Sequence, residues 1–171
     1  FWGFINLMYY VLSIKMVSEC LIRQMKLSDS NSVMELNMKF LPENYYKEFW
    51  LERFSIGKNN SFVACVSGEN IGYILSDKTS IVSFAVDTKY RNNGIGLNLL
   101  YNCLNSLEIN SKISLYCRSK NINALNLYTK LGFYPIETLI DYYVDPVDNG
   151  LLMNTIILNR FKTNKKISLS I

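Results

Sequence analysis

The 171 residues (19.8 kDa) suit one domain, and a hydrophobic share of 49% supplies a full core, which excludes a disordered chain. The net charge of +4 is modest, and Lys162, Lys165 and Lys166 gather late, which fits a solvated end rather than a nucleic-acid surface. There is no His, and Cys20, Cys65, Cys103 and Cys117 are scattered, so no metal site is expected and the thiols read as small buried hydrophobes of a reducing compartment.

Residues 1–17 are mostly apolar and are expected to be an extension packed on the body or on a neighbouring chain. They lack the basic leading segment of a signal peptide and fall short of the ~20 residues a membrane span needs; a membrane anchor is the lesser reading. Met8 or Met16 offers a natural start. Residues 18–160 form the body, and 161–171 read as a basic tail.

The pattern predicts a first strand at 19–25 and a helix capped by Ser28-Asp29-Ser30, with Val33, Leu36, Asn37 and Phe40 on one face. Leu41-Pro42-Glu43-Asn44-Tyr45 breaks that helix, and a second follows at 46–54. Strands at 62–66 and 71–75 flank the turn Ser67-Gly68-Glu69-Asn70. A strand at 81–86, a helix at 94–108 and a strand at 113–118 come next. A helix at 121–131 stops at Gly132. Residues 133–140 read as a strand, 141–149 as a polar loop and 151–158 as the final strand. The order β-α-α-β-β-β-α-β-α-β-β indicates an α/β (α+β) layer structure around one mixed sheet.

The stretch 82–96 organises the rest. An apolar strand passes through a polar turn into Gly94-Ile95-Gly96, and leucines at helical spacing follow at once. Strand, glycine turn and helix together aim free amides and the positive end of a helix dipole at one point, a place for phosphate. The nucleotide-hydrolase loop requires Gly-Lys-Ser/Thr, whereas Gly96 is followed by Leu97-Asn98; the dinucleotide fingerprint requires a third glycine.

Arg91-Asn92-Asn93-Gly94-Ile95-Gly96 resembles the Arg/Gln-x-x-Gly-x-Gly/Ala signature of the GNAT acetyltransferase superfamily. Downstream, 121–133 is similar to that family's Asn-x-x-Ala-x-x-Leu-Tyr-x-x-x-Gly-Phe. The resemblance implies that the 91–96 loop holds the pyrophosphate of acetyl-CoA, that Asn121 touches this cosubstrate and that Tyr128 lies beside its sulfur. A helix cap at Asn121 and a core aromatic at Tyr128 are the plainer alternatives. It also implies a mostly antiparallel sheet with two splayed strands, leaving backbone at Phe84, Ala85 and Val86 free to pair with the pantetheine arm.

Leu41-Pro42-Glu43-Asn44-Tyr45 resembles the loop between the first two helices of the protein N-terminal acetyltransferases, closest to the archaeal enzyme and the eukaryotic catalytic subunit. Asp141-Tyr142-Tyr143-Val144-Asp145, with Asp148 and Met153, resembles a second segment of the same enzymes. By resemblance these loops grip a protein or peptide N-terminus, with Leu41, Pro42, Glu43, Tyr45, Arg118, Tyr142 and Tyr143 binding substrate. Tyr142 and Tyr143 simply capping the sheet is the alternative. Direct attack of an α-amine on the thioester is then expected, in the cytoplasm, with Tyr128 as acid and Phe84 or Val86 N–H meeting the oxyanion. Relatives often carry His or Tyr at the position of Ser80 and His or Glu at that of Tyr116, so Glu43 is the remaining base, through water, or a ligand for the amine. Cys117 is expected to be structural. An auxiliary subunit or the ribosome stays open as a partner, while the modest, end-clustered charge gives no reason to expect direct nucleic-acid contact. Acetylation of a small-molecule amine and a non-catalytic CoA-binding module stay open as alternatives.

Overall fold

The computed structural model describes residues 17–170, so the expected N-terminal extension lies, but for Val17, outside the described residues. In chain order the elements are β1 (Val17–Gln24), α1 (Ser30–Phe40), α2 (Lys47–Gly57), β2 (Phe62–Val66), β3 (Glu69–Ser76) and β4 (Ser80–Val86). There follow α3 (Ile95–Asn105), β5 (Lys112–Arg118), α4 (Ile122–Lys130), β6 (Tyr134–Val144), β7 (Val147–Ile156) and β8 (Lys166–Ser170). Short 3-10 turns at Leu27–Asp29 and Thr88–Tyr90 lead into α1 and α3.

The eight strands form one sheet in the order β6-β7-β5-β4-β3-β2-β1-β8. Every pairing is antiparallel except β4 with β5. The sheet separates two cores. On one face α3 and α4 bring Leu99, Leu100, Leu104, Tyr128 and Leu131 against Ile74, Ile113 and Leu115. On the other, α1 and α2 pack Val33, Leu36 and Trp50 against Val63, Tyr73 and Leu75. The helices therefore follow the apolar stripes of the sequence, and the α/β (α+β) expectation holds.

Two expectations are corrected. Residues 141–149 are not a loop: β6 runs to Val144 and β7 starts at Val147, so only Asp145-Pro146, joined by a cis peptide, connects them. There Tyr143 pairs with Asp148 and Val144 with Val147 on a two-stranded ladder, whose exposed side tolerates polar residues while Asp148 is buried. Residues 161–171 are not a free tail either. Lys166–Ser170 is a strand on the edge of β1, from Lys166 opposite Leu21 to Ser170 opposite Val17, with Leu169 buried.

The start of α1 is fixed to β1 by Asp29. Its carboxylate takes two hydrogen bonds from the Arg23 guanidinium, at 2.7 and 2.8 Å, and one from the Lys26 amide at 2.7 Å. The Arg23 bonds first, then that amide, hold the Asp29 pKa down to about 2. A depressed carboxylate pKa stabilises the fold above the unfolded value of about 4, and that stabilisation is lost as pH falls through 2. Asp29→Asn is expected to lose about 1 kcal/mol at pH 7 by urea denaturation, after allowing for solvent screening of Arg23, and to differ little from wild type at pH 2.

Candidate active site

β4 and β5 pair only at Ser80 with Ser114 and Ile81 with Leu115, then diverge. On its other edge β4 is paired to β3, and the Asp87 amide donates to Ile71 C=O at 2.8 Å. Antiparallel bonding alternates, so Ala85 is bonded to Tyr73, while the main-chain groups of Phe84 and Val86 face the gap. Of the three expected residues, Ala85 is thus turned away, with its side chain in the α1/α2 core. The Val86 carbonyl is taken by Arg91 Nε at 2.8 Å.

The glycine turn opens at the wide end of this gap. Gly94 caps α3 with φ 77°, and Asn92 is also left-handed at φ 64°. The first α3 bond is Asn98 N–H to Gly94 C=O at 3.0 Å, so the amides of Ile95, Gly96 and Leu97 precede the ladder. Ile95 contributes only its backbone, since its side chain is in the core. A Cβ on Gly96 would stand 3.1 Å from Phe84 Cζ, so glycine lets the helix start lie against β4. Asn93 folds back, donating to Tyr90 and Arg91 carbonyls at 3.2 and 3.0 Å, and shapes the loop. Asn121 caps α4, its Oδ1 accepting from the Ala124 amide at 3.2 Å, so the plainer reading of that residue is observed.

Tyr128 is buried on the α3/α4 side, its ring 6.4 Å from Phe84 and 5.8 Å from Phe133. Burial, then the neighbouring Cys117 and Tyr143, push its pKa well above the ordinary value of a phenol. At neutral pH its hydroxyl therefore keeps its proton. Burial, then Asp148 and Glu43, likewise raise the Cys117 pKa to about 11, so at neutral pH it is a thiol and not a nucleophile.

The opposite face carries the substrate-loop residues, and Arg118 joins them. Its Nη2 and Nε reach Glu43 Oε1 at 2.6 and 2.8 Å. Its Nη1 and Nη2 donate to the Pro146 and Asp145 carbonyls at 2.5 and 2.9 Å, and its guanidinium lies 4.3 Å over the Tyr143 ring. One arginine therefore clamps the α1–α2 loop to the β6–β7 turn. Tyr116 stacks on Tyr142 at 5.0 Å, and Tyr142 meets Tyr143 edge-on at 5.0 Å. Tyr45 stacks on Phe49 at 4.6 Å; burial first, then Glu43 and Tyr142, raise its pKa. Leu41 packs on the α1/α2 core, and Pro42 is exposed. Asp148 is not in this group: it anchors the hairpin, accepting from Ser119 Oγ at 2.7 Å and the Asn149 amide at 2.8 Å. Ser80 turns away too, its hydroxyl donating to Asp77 at 2.8 Å.

Sequence reasoning missed two supports. Asn37, buried on α1, donates to the Glu43 carbonyl at 2.6 Å and to Asn44 Oδ1 at 3.1 Å. Its Oδ1 accepts from Tyr73 and Ser83 hydroxyls, both at 3.2 Å, so the α1–α2 loop is tied to β3 and β4. The only sequence signal was an asparagine on an apolar helix face. The second is Gly150, where a Cβ would stand 2.8 Å from the Tyr142 ring. Glycine lets Tyr142 lie flat across β7 beside Tyr116. Gly150→Ala is expected to push the Tyr142 ring off Tyr116 and to cost about 1–3 kcal/mol of stability by urea denaturation.

Splayed strands, amides bundled at a glycine turn and a protonated tyrosine beside the gap define a fold for acyl transfer from a phosphate-tailed thioester. Residues 28–140 match the family model described as acetyltransferase (GNAT) domain. The chain belongs to the GNAT acetyltransferases. It is 35% identical over 150 residues to an N-alpha-acetyltransferase of Sulfurisphaera tokodaii, covering 77% of this chain and 90% of the relative. Among solved structures it is similar to Ard1 from Thermoplasma volcanium, at 28% identity and TM-score 0.73, covering 82% of this chain and 99% of that one. It shares its fold with Arabidopsis thaliana Naa50, solved with the bisubstrate analogue CoA-Ac-MVNAL, at 21% identity and TM-score 0.70, covering 80% of this chain and 97% of that one.

Proposed function

We propose that this protein transfers the acetyl group of acetyl-CoA directly to the N-terminal α-amine of proteins or peptides. The observation that carries the reading is the Arg118 clamp: it ties the α1–α2 loop with Tyr45 to the end of the β6–β7 hairpin with Tyr142 and Tyr143, with the Glu43 carboxylate between them. The residues fit the cosubstrate. Free amides at 95–97 and Gly94 suit its diphosphate, Arg91 and Asn92 border that turn, Asn121 stands at the start of α4, and the unpaired edge of β4 suits its amide arm.

Acetyl-CoA supplies the acetyl group as an activated thioester. Phe84 or Val86 N–H, pointing into the gap, meets the negative charge that grows on the carbonyl oxygen. As the carbon–sulfur bond breaks, the Tyr128 hydroxyl gives its proton to the departing sulfur, and the proton lost by the amine, relayed through Glu43 and solvent, restores it. Glu43 Oε1 is occupied by Arg118, which leaves Oε2 to hold the incoming amine or take its proton through water. An α-amine with a pKa near 8 is partly neutral at pH 7, so weak base help suffices. Tyr45, Tyr142 and Tyr143 give apolar walls with polar tips for the first peptide residues.

Among the described residues no helix is long and apolar enough to cross a membrane, and no group of metal ligands gathers. The four thiols are buried and unpaired, which suits the proposed cytoplasmic location. The test offers acetyl-CoA with peptides bearing a free or a blocked α-amine plus one internal lysine, read by mass spectrometry. Acetate on the α-amine only is expected; equal modification of blocked peptides through lysine overturns the reading.

A further inference from the structure

The segment between β7 and β8 lies outside the 28–140 family match, and it runs back along α3. Arg160 Nη1 donates to the carbonyls of Asn105 and Leu107 at 2.7 and 2.6 Å, closing the negative end of the helix. Asn105 holds the Phe161 main chain from both sides: Nδ2 donates to its carbonyl and Oδ1 accepts from its amide, each at 2.8 Å. Phe161 stacks on Tyr101 at 4.8 Å with 11° between the planes. Seven residues towards the helix start, on the same face, buried Asn98 repeats the arrangement. Its Oδ1 accepts from the Asn164 amide at 2.8 Å while its Nδ2 donates to Gly94 C=O at 3.0 Å. One residue on, Lys165 C=O accepts from the Ile22 amide at 2.8 Å, and β8 begins.

We infer that Asn98 is a positioning residue for the cosubstrate turn, held in place by this C-terminal strap. Gly94 is left-handed, so nothing but its neighbours fixes where the 95–97 amides point. The Gly94 carbonyl takes a second bond from the Asn98 side chain beside the one from the Asn98 amide, and the strap fixes that side chain. Through β8 and β1 the strap itself is bolted to the far edge of the sheet. The inference rests on the proposed diphosphate-binding role of the Gly94 turn.

The experiment is calorimetry of the full chain with acetyl-CoA and, in parallel, with S-acetylpantetheine, which lacks the diphosphate. Wild type is expected to prefer acetyl-CoA. Asn98→Ala removes both bonds, and Asn164→Pro removes only the strap's donor. Each is expected to weaken acetyl-CoA about tenfold while S-acetylpantetheine affinity and peptide KM stay put, a split that general destabilisation does not produce. Phe161→Ala loosens the strap without touching the first turn of α3 and gives the same readout should the other variants not fold. Wild-type acetyl-CoA affinity in any folded variant overturns the inference. If wild type itself binds both thioesters equally, the diphosphate reading fails, and the inference with it.

Discussion

Tyr128→Phe is expected to lower kcat about a hundredfold while leaving both KM values near wild type. The change keeps the ring between Phe84 and Phe133, so the core stays packed, and it removes only the hydroxyl proposed to protonate the leaving sulfur. The pH profile is a second readout. Burial raises the Tyr128 pKa, so its proton is kept above the value near 10 at which a free tyrosine ionises. The wild-type rate therefore shows no loss attributable to this group as pH rises through 10. An unchanged kcat in the variant would remove Tyr128 from the chemistry.

Arg118→Ala is expected to lower peptide kcat/KM about a hundredfold, with acetyl-CoA affinity unaltered. Breaking a well-buried pair costs roughly 3–5 kcal/mol; Glu43 and Arg118 keep some solvent contact, so about 2–3 kcal/mol is the discounted figure. The loss has two parts: Glu43 is left without its partner, and the Asp145 and Pro146 carbonyls lose the donor that holds the β6–β7 turn. Arg118→Lys should rescue little, because one ammonium cannot make three directed contacts while stacking on Tyr143. In a double-mutant cycle Glu43→Gln should add little to Arg118→Ala. Full additivity would mean that the two act apart.

The parts of this site written in local pattern were legible. The glycine turn follows from Gly94 and Gly96 before a leucine stripe, and the cap at Asn121 from its place ahead of Ala124. The parts set by distant partners were not. Lys166–Ser170 is a short alternation preceded by Lys165, and only the free edge of β1, far off in sequence, makes it a strand. The polar residues of 141–149 look like a loop because polarity marks turns, yet Tyr143 pairs with Asp148 and Val144 with Val147, and only Asp145-Pro146 turns the chain. Asn98 reads as one more polar position on an amphipathic helix until the strap crosses it. Arg118 was noticed, but its three partners come from residues 43, 145 and 146, an adjacency that only the folded sheet creates.

In the proposed reaction both substrates meet across the gap between β4 and β5, and the acetyl group never rests on the protein. Initial velocities with acetyl-CoA and a free-amine peptide varied together test this most directly. Intersecting double-reciprocal lines, the mark of a complex holding both substrates, are predicted; parallel lines, with acetyl appearing on Cys117 or another side chain when the peptide is withheld, would contradict it.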